Sequence, residues 1–295
     1  MRPGSVVARV PAPALFVGSG LAQYGGAALA VGLFAAIPAA GVAWLRILVA
    51  SVLLVVWRRP WRLPWSRTDV LLATGFGLAL GLMNVAFYVA IDHLPLGTAV
   101  AIEFIGPVAV AAITGSGWRE RVGIALAAAG VVLLAGVTLG SDAPGVAVGL
   151  VAIGVAAAAW AAYIVLGRMV AVSGDGVTRL SVAMAVAAVA GAPFLAARSA
   201  PVLGDWRLVA AVVGVAVLSS VLPYAVEQVV LRRLGPAEFA VLLALLPATA
   251  AVVGAVALRQ WPHAVDLAGL LLVSLAIGLT GRRRPEPVTA PDAGA

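Results

Sequence analysis

Along most of the chain apolar residues run in long blocks, and charged residues and prolines collect in the short breaks between them. A helix that crosses the hydrocarbon core of a bilayer needs roughly 20 apolar residues. The blocks predict ten such helices, over 12–33, 39–57, 70–91, 96–114, 122–140, 146–167, 178–197, 207–230, 237–258 and 264–281. Arg2 and Arg9 ahead of the first block, with Ala39-Ala40 after it, also fit a secretory signal peptide. That reading is the weaker one, because removing the segment would leave nine spans and break an internal repeat.

Composition turns the pattern into a fold class. Of 295 residues, 63% are hydrophobic and 11% charged, with a mean hydropathy of +1.11. A soluble domain is about 45–50% apolar and about 25% charged, so this surplus cannot be hidden in one water-soluble core. A disordered chain needs the opposite balance. The expectation is an all-α membrane protein with ten transmembrane helices. Cysteine is absent, which excludes disulfides, thiolate metal sites and a cysteine nucleophile. No cofactor and no metal site are expected.

The formal net charge of +7 changes the picture only through its placement. All 19 cationic side chains are Arg. Arg2, Arg9, Arg58, Arg59, Arg62, Arg67, Arg119, Arg121, Arg168, Arg179, Arg232, Arg233, Arg282, Arg283 and Arg284 fall on one side of the predicted spans. Arg198, Arg207 and Arg259 fall on the other. Positive loops stay in the cytoplasm, so both termini are expected there, and the charge needs no nucleic-acid partner. Trp57, Trp61 and Trp65 among Arg and Pro read as an interfacial loop. Residues 282–295 read as a disordered cytoplasmic tail.

A shift of 140 residues lays Leu94 on Leu234 and Pro107 on Pro247. In both places a short loop with a Pro opens the next helix. The shift carries spans one to five (1–140) onto spans six to ten (141–281). An odd number of spans per unit inverts the second copy, giving two inverted five-helix repeats about an axis in the membrane plane. Secondary transporters built this way hold substrate near midplane between the halves.

A charge at the bilayer centre costs about 2.5–3.5 kcal/mol on insertion scales, so it calls for a partner or a function. Glu103 in span four, Glu227 in span eight and Arg46 in span two are the candidates. Gln23 and Tyr24, Asn84 and Tyr88, and Tyr224 and Gln228 are polar companions in spans one, three and eight. Pro107, four residues after Glu103, lacks the amide that would pair with the Glu103 carbonyl. One turn therefore offers a carboxylate and a freed backbone acceptor, which suit an ammonium group or a proton carrier. Pro247 recreates the freed carbonyl without the acid, and Pro223 frees that of Ser219 one turn before Glu227. Two readings stand: the acids bind substrate or proton, or Glu103 and Arg46 pair to hold helices together. The Gly77/Gly81 and Gly145/Gly149 spacings read as helix packing.

The stretch His93-Leu94-Pro95-Leu96-Gly97-Thr98-Ala99-Val100-Ala101-Ile102-Glu103-Phe104-Ile105-Gly106-Pro107 resembles the span-four signature of bacterial threonine/homoserine exporters. These belong to the EamA branch of the drug/metabolite transporter superfamily. Leu222-Pro223-Tyr224-Ala225-Val226-Glu227 is similar to the same group's span-eight motif, and Arg46 occupies the span-two Arg position typical of the wider family. The likeness runs from about residue 15 to 280. It implies a multi-pass exporter of small amino acids or related metabolites in the bacterial inner membrane, driven by proton exchange. The partners implied are a small-molecule substrate, protons and membrane lipid, with the chain a monomer or homodimer. Relatives often carry Glu before the span-nine Pro and Gly-Glu after that span; this chain has Leu246 and Arg259-Gln260. The same fold moving another metabolite or a drug is the alternative. An intramembrane enzyme or a channel is more distant, since His93 and His263 sit at loop edges and form no nucleophile–base pair.

Overall fold

The computed structural model describes residues 10–114, 117–140, 143–172, 176–223, 226 and 242–280. Among them every regular element is helical: α1 (Ala12–Leu33), α2 (Ala39–Arg58), α3 (Arg67–Ile91), α4 (Leu96–Glu103), α5 (Ile105–Thr114), α6 (Trp118–Leu139), α7 (Val146–Val172), α8 (Gly176–Ser199), α9 (Trp206–Ala216), α10 (Leu246–Leu258) and α11 (Ala264–Thr280). Short 3-10 turns cover Pro60–Arg62 and Ala200–Gly204, and a π turn, Val217–Val221, continues α9.

Local chemistry explains the helix ends. Pro11, Pro38 and Pro95 stand at the N-caps of α1, α2 and α4, where a fixed φ and a missing N–H cost nothing. Before α3, Ser66 and Asp69 form a capping box: the Asp69 amide donates to Ser66 Oγ, and the Ser66 amide to Asp69 Oδ2, both at 3.1 Å. The starts at Ala12, Ala39, Leu96, Val146 and Ala264 fall on the expected residues. The expected fourth span is a single segment interrupted at Phe104.

Helices α1, α2, α3, α6, α7 and α8 are long and apolar enough to cross a membrane. The other apolar helices among the described residues, Leu96–Ala111, Trp206–Val221, Leu246–Leu258 and Ala264–Thr280, are shorter. Leu71, Val132, Phe194 and Val256 each expose at least 70% of their surface outward. Water would penalise such a surface and lipid does not. Trp57, Trp61, Trp118, Trp206 and Trp261 are exposed at or beside helix ends, as an aromatic belt requires. Arg58, Arg119 and Arg207 lie over the rings of Trp57, Trp118 and Trp206.

Inside, α3 lies against α7 and α8, α2 against α8, and α6 against α11. Helix α10 packs on α4 and α1, α4 and α5 pack on α7, and α9 packs on α1 and α2. Small residues set the closest approach. A Cβ on Gly77 would stand 2.3 Å from the Ala183 carbonyl oxygen, and one on Gly81 would stand 3.1 Å from Ala187 Cβ. The spacing thus seats α3 on α8 by backbone contact. Trp44 Nε1 donates to the Ala188 carbonyl at 2.7 Å, tying α2 to α8. Asp69 and Arg179 pair at the Arg-bearing end of α3 and α8.

Candidate functional site

A cavity of about 210 Å³ opens between α1, α2, α3, α4, α7 and the π turn. Arg46 and Glu103 lie about 10 Å along their helices from Ala39 and Leu96, at a rise of 1.5 Å per residue, so the cavity sits inside the helical layer. Its size is just below the usual range for drug-sized ligands, about 300–1,000 Å³, and matches a small metabolite.

Broken helices deliver two of its walls. Helix α4 ends at Glu103, Phe104 forms a turn, and α5 resumes at Ile105. Phe104 keeps its bonds, donating to Val100 O at 3.2 Å and accepting from Val108 N at 3.1 Å. Pro107 has no N–H to offer the Glu103 carbonyl. Phe104 is buried edge-on against Trp160 of α7, with centroids 4.7 Å apart. A second interruption falls at Ala244–Leu245, ahead of α10, 140 positions beyond Phe104. Leu243 and Leu246 on either side of it line the same cavity.

The third irregularity is the π turn Val217–Val221 ahead of Pro223. A wide turn is what a helix adopts where the regular ladder loses a donor. There Ser219 Oγ donates to the Gln23 carbonyl of α1 at 3.1 Å. A Cβ on Gly26 would stand 2.2 Å from Ser219 Oγ, so only Gly admits this contact.

Arg46 is 8% exposed, and its guanidinium carbon lies 4.8 Å from the Tyr88 ring centroid. Arg46 Nε and the Tyr88 hydroxyl are both buried without a hydrogen-bond partner. Asn84 Nδ2 donates to Leu80 O at 2.8 Å, which leaves Oδ1 as its acceptor. Arg46 and Glu103 line the one cavity without forming an ion pair, so the helix-pairing reading has no direct contact behind it.

Of the residues expected from sequence, Gln23, Tyr24, Arg46, Asn84, Tyr88, Glu103 and Pro223 all line this cavity. Pro107 and Pro247 do not, and stand in α5 and in the first turn of α10. Tyr224, Glu227 and Gln228 lie outside the described residues. Sequence reasoning missed Phe16, Ser19, Met83, Phe87, Trp160 and Tyr163, and used Ser219 only for its carbonyl. The aromatic pair Trp160 and Tyr163 carried a signal, being mid-span rather than in the belt. Tyr163 stacks on Phe76 at 4.5 Å.

A separate cavity of about 250 Å³ lies at the opposite end of α4, lined by His93, Thr98, Gln260, His263 and Asp266 among others. The two histidines thus share a pocket. His263 is held to Asp266, its amide donating to Oδ2 at 2.8 Å.

Residues 147–282 match the model of the EamA-like transporter family. The chain is 34% identical over 264 residues to the threonine/homoserine exporter RhtA of Salmonella typhimurium strain LT2, covering 88% of this chain and 89% of that one. To RhtA of Escherichia coli K12 it is 33% identical over 263 residues, covering 89% and 88%. A crystal structure of a protein at 18% identity shares the fold with a TM-score of 0.56, covering 90% of this chain and 95% of that one. Kinship over nearly nine-tenths of the chain, an apolar body whose described elements are helical and a polar cavity inside the helical layer agree: the chain is a multi-pass membrane protein of the EamA-like transporter family.

Proposed function

We propose that the protein exports small amino acids of the threonine/homoserine kind across the bacterial inner membrane in exchange for protons. The observation that carries this is the convergence of Glu103, Arg46, Asn84 and Tyr88, from three different helices, on one small cavity inside the helical layer. Glu103 binds the substrate ammonium or a proton, in competition. Protonation from the outside expels substrate, and loss of the proton to the cytoplasm readies the carboxylate for the next one. One group that holds either ligand gives exchange without separate coupling machinery.

In this account ten spans form two inverted halves, 1–140 and 141–281, with both termini cytoplasmic. The packing supports the halves. Exchanging spans one to five with six to ten turns the contact of α3 on α7 into that of α9 on α1. It turns α3 on α8 into α9 on α2, and α10 on α1 into α4 and α5 on α7. The pairs α2–α8, α4–α10 and α6–α11 map onto themselves. The helix breaks 140 positions apart follow the same exchange. Rocking of one half on the other would open the cavity to each side in turn.

The test is uptake of labelled threonine and homoserine into proteoliposomes under an imposed pH gradient, beside a panel of other metabolites. Uptake that follows the gradient supports the reading. Uptake of another class alone, with neither amino acid moved, retires the amino-acid assignment and keeps the transporter fold. Leu246, an uncharged residue lining the cavity, gives that panel its reason.

A further inference from the structure

Arg46 has a role that the ammonium site at Glu103 does not explain. Among the described residues no carboxylate pairs with it, although it is buried in the second span. Burying a cation is costly unless something compensates it. The Tyr88 ring face supplies part of that compensation, at 4.8 Å from the guanidinium carbon. Arg46 Nε and the Tyr88 hydroxyl nevertheless remain without partners. The guanidinium fork matches a carboxylate with two parallel hydrogen bonds. Glu103, the complement of an ammonium, lines the same cavity.

We propose that Arg46 anchors the substrate carboxylate, so that the cavity selects zwitterionic amino acids by holding both of their charges at once. This rests on the exporter reading and specifies its substrate class. A zwitterion meets both protein charges. An amine lacking the carboxylate leaves Arg46, which cannot give up its charge, uncompensated, and is rejected by that unpaired buried charge. Tyr88 is a positioning residue that seats the guanidinium.

The experiment measures counterflow in proteoliposomes of the full-length protein. Threonine, homoserine and other small amino acids are compared with their carboxamides, on wild type, Arg46→Gln and Arg46→Lys. Wild type should prefer each transported acid over its carboxamide by at least about tenfold, the factor one charge-assisted hydrogen bond supplies. Arg46→Gln should bring that ratio close to one, with carboxamide counterflow serving as its own folding control. Arg46→Lys should fall between, keeping the charge and losing the fork. An unchanged ratio in Arg46→Gln, no discrimination by wild type, or equal loss of both ligand types in both variants overturns the anchor and leaves export standing. Wild type that moves none of the panel contradicts the exporter reading itself, and the anchor with it.

Discussion

The side-chain oxygen of Gln260 accepts a 2.9 Å hydrogen bond from the backbone amide of Leu96. The loop before α11 therefore caps the helix that ends at Glu103. The Gln260 backbone N–H donates to the Gly254 carbonyl at 3.0 Å, which fixes this loop to the end of α10. Gln260 thus joins the start of α4 to the loop between α10 and α11, at the far end of α4 from the Glu103 cavity.

Gln260→Ala removes that cap. A lost helix cap costs about 1 kcal/mol, which raises the open population about fivefold. The chain has no cysteine, so a single Thr98→Cys reports the opening without background. Its labelling by a membrane-impermeant thiol reagent from outside should be about fivefold faster in the Gln260→Ala protein at an open fraction well below one half. An unchanged rate would mean that the bond does not hold this end shut.

Glycine substitutions in two helices should behave in opposite ways. Gly77→Ala forces a methyl to within 2.3 Å of the Ala183 carbonyl, whereas Gly18→Ala in α1 meets nothing within 4 Å. The first should cost about 1–3 kcal/mol through overpacking. The second should be neutral or gain a few tenths up to about 1 kcal/mol from helix propensity. Thermal unfolding of the detergent-purified variants, with Tm lowered only in Gly77→Ala, checks the pair.

Trp160 closes one wall of the cavity against Phe104. Trp160→Ala removes an edge-to-face contact worth about 0.5–1.5 kcal/mol beyond its buried area and enlarges the cavity. Threonine, losing one wall of the cavity, should then bind more weakly. Leucine and other amino acids larger than threonine should begin to compete for counterflow. Competition assays read both changes.

The six long helices were legible because each is a continuous apolar block bounded by Arg or Pro, and the interruption after Glu103 was legible through Pro107, four residues later. Gln23, Arg46, Asn84 and Glu103 were legible too, since few environments other than a shared cavity tolerate such polar side chains inside an apolar block. Ser19 was not, and Trp160 and Tyr163 were legible only as aromatics placed mid-span, with no cavity implied. Where apolar residues surround a helix on every side, the pattern does not say which face looks inward, and a lone Ser or aromatic reads as lipid-facing or packed. Ser219 reached the site through a π turn, whose extra residue rotates the helix face in a way no spacing rule anticipates. The cation–π seat of Arg46 on Tyr88 joins spans two and three, and neither sequence alone implies the other.

The central claim is that Glu103 carries substrate and proton in turn. Threonine uptake and proton efflux, the latter read by a trapped pH dye, can be recorded together in proteoliposomes of wild type and Glu103→Gln. Wild type should move protons against threonine in a fixed ratio, and Glu103→Gln should abolish both the gradient-driven uptake and the proton movement. A Glu103→Gln protein that still exchanges threonine for protons at the wild-type ratio would contradict the mechanism.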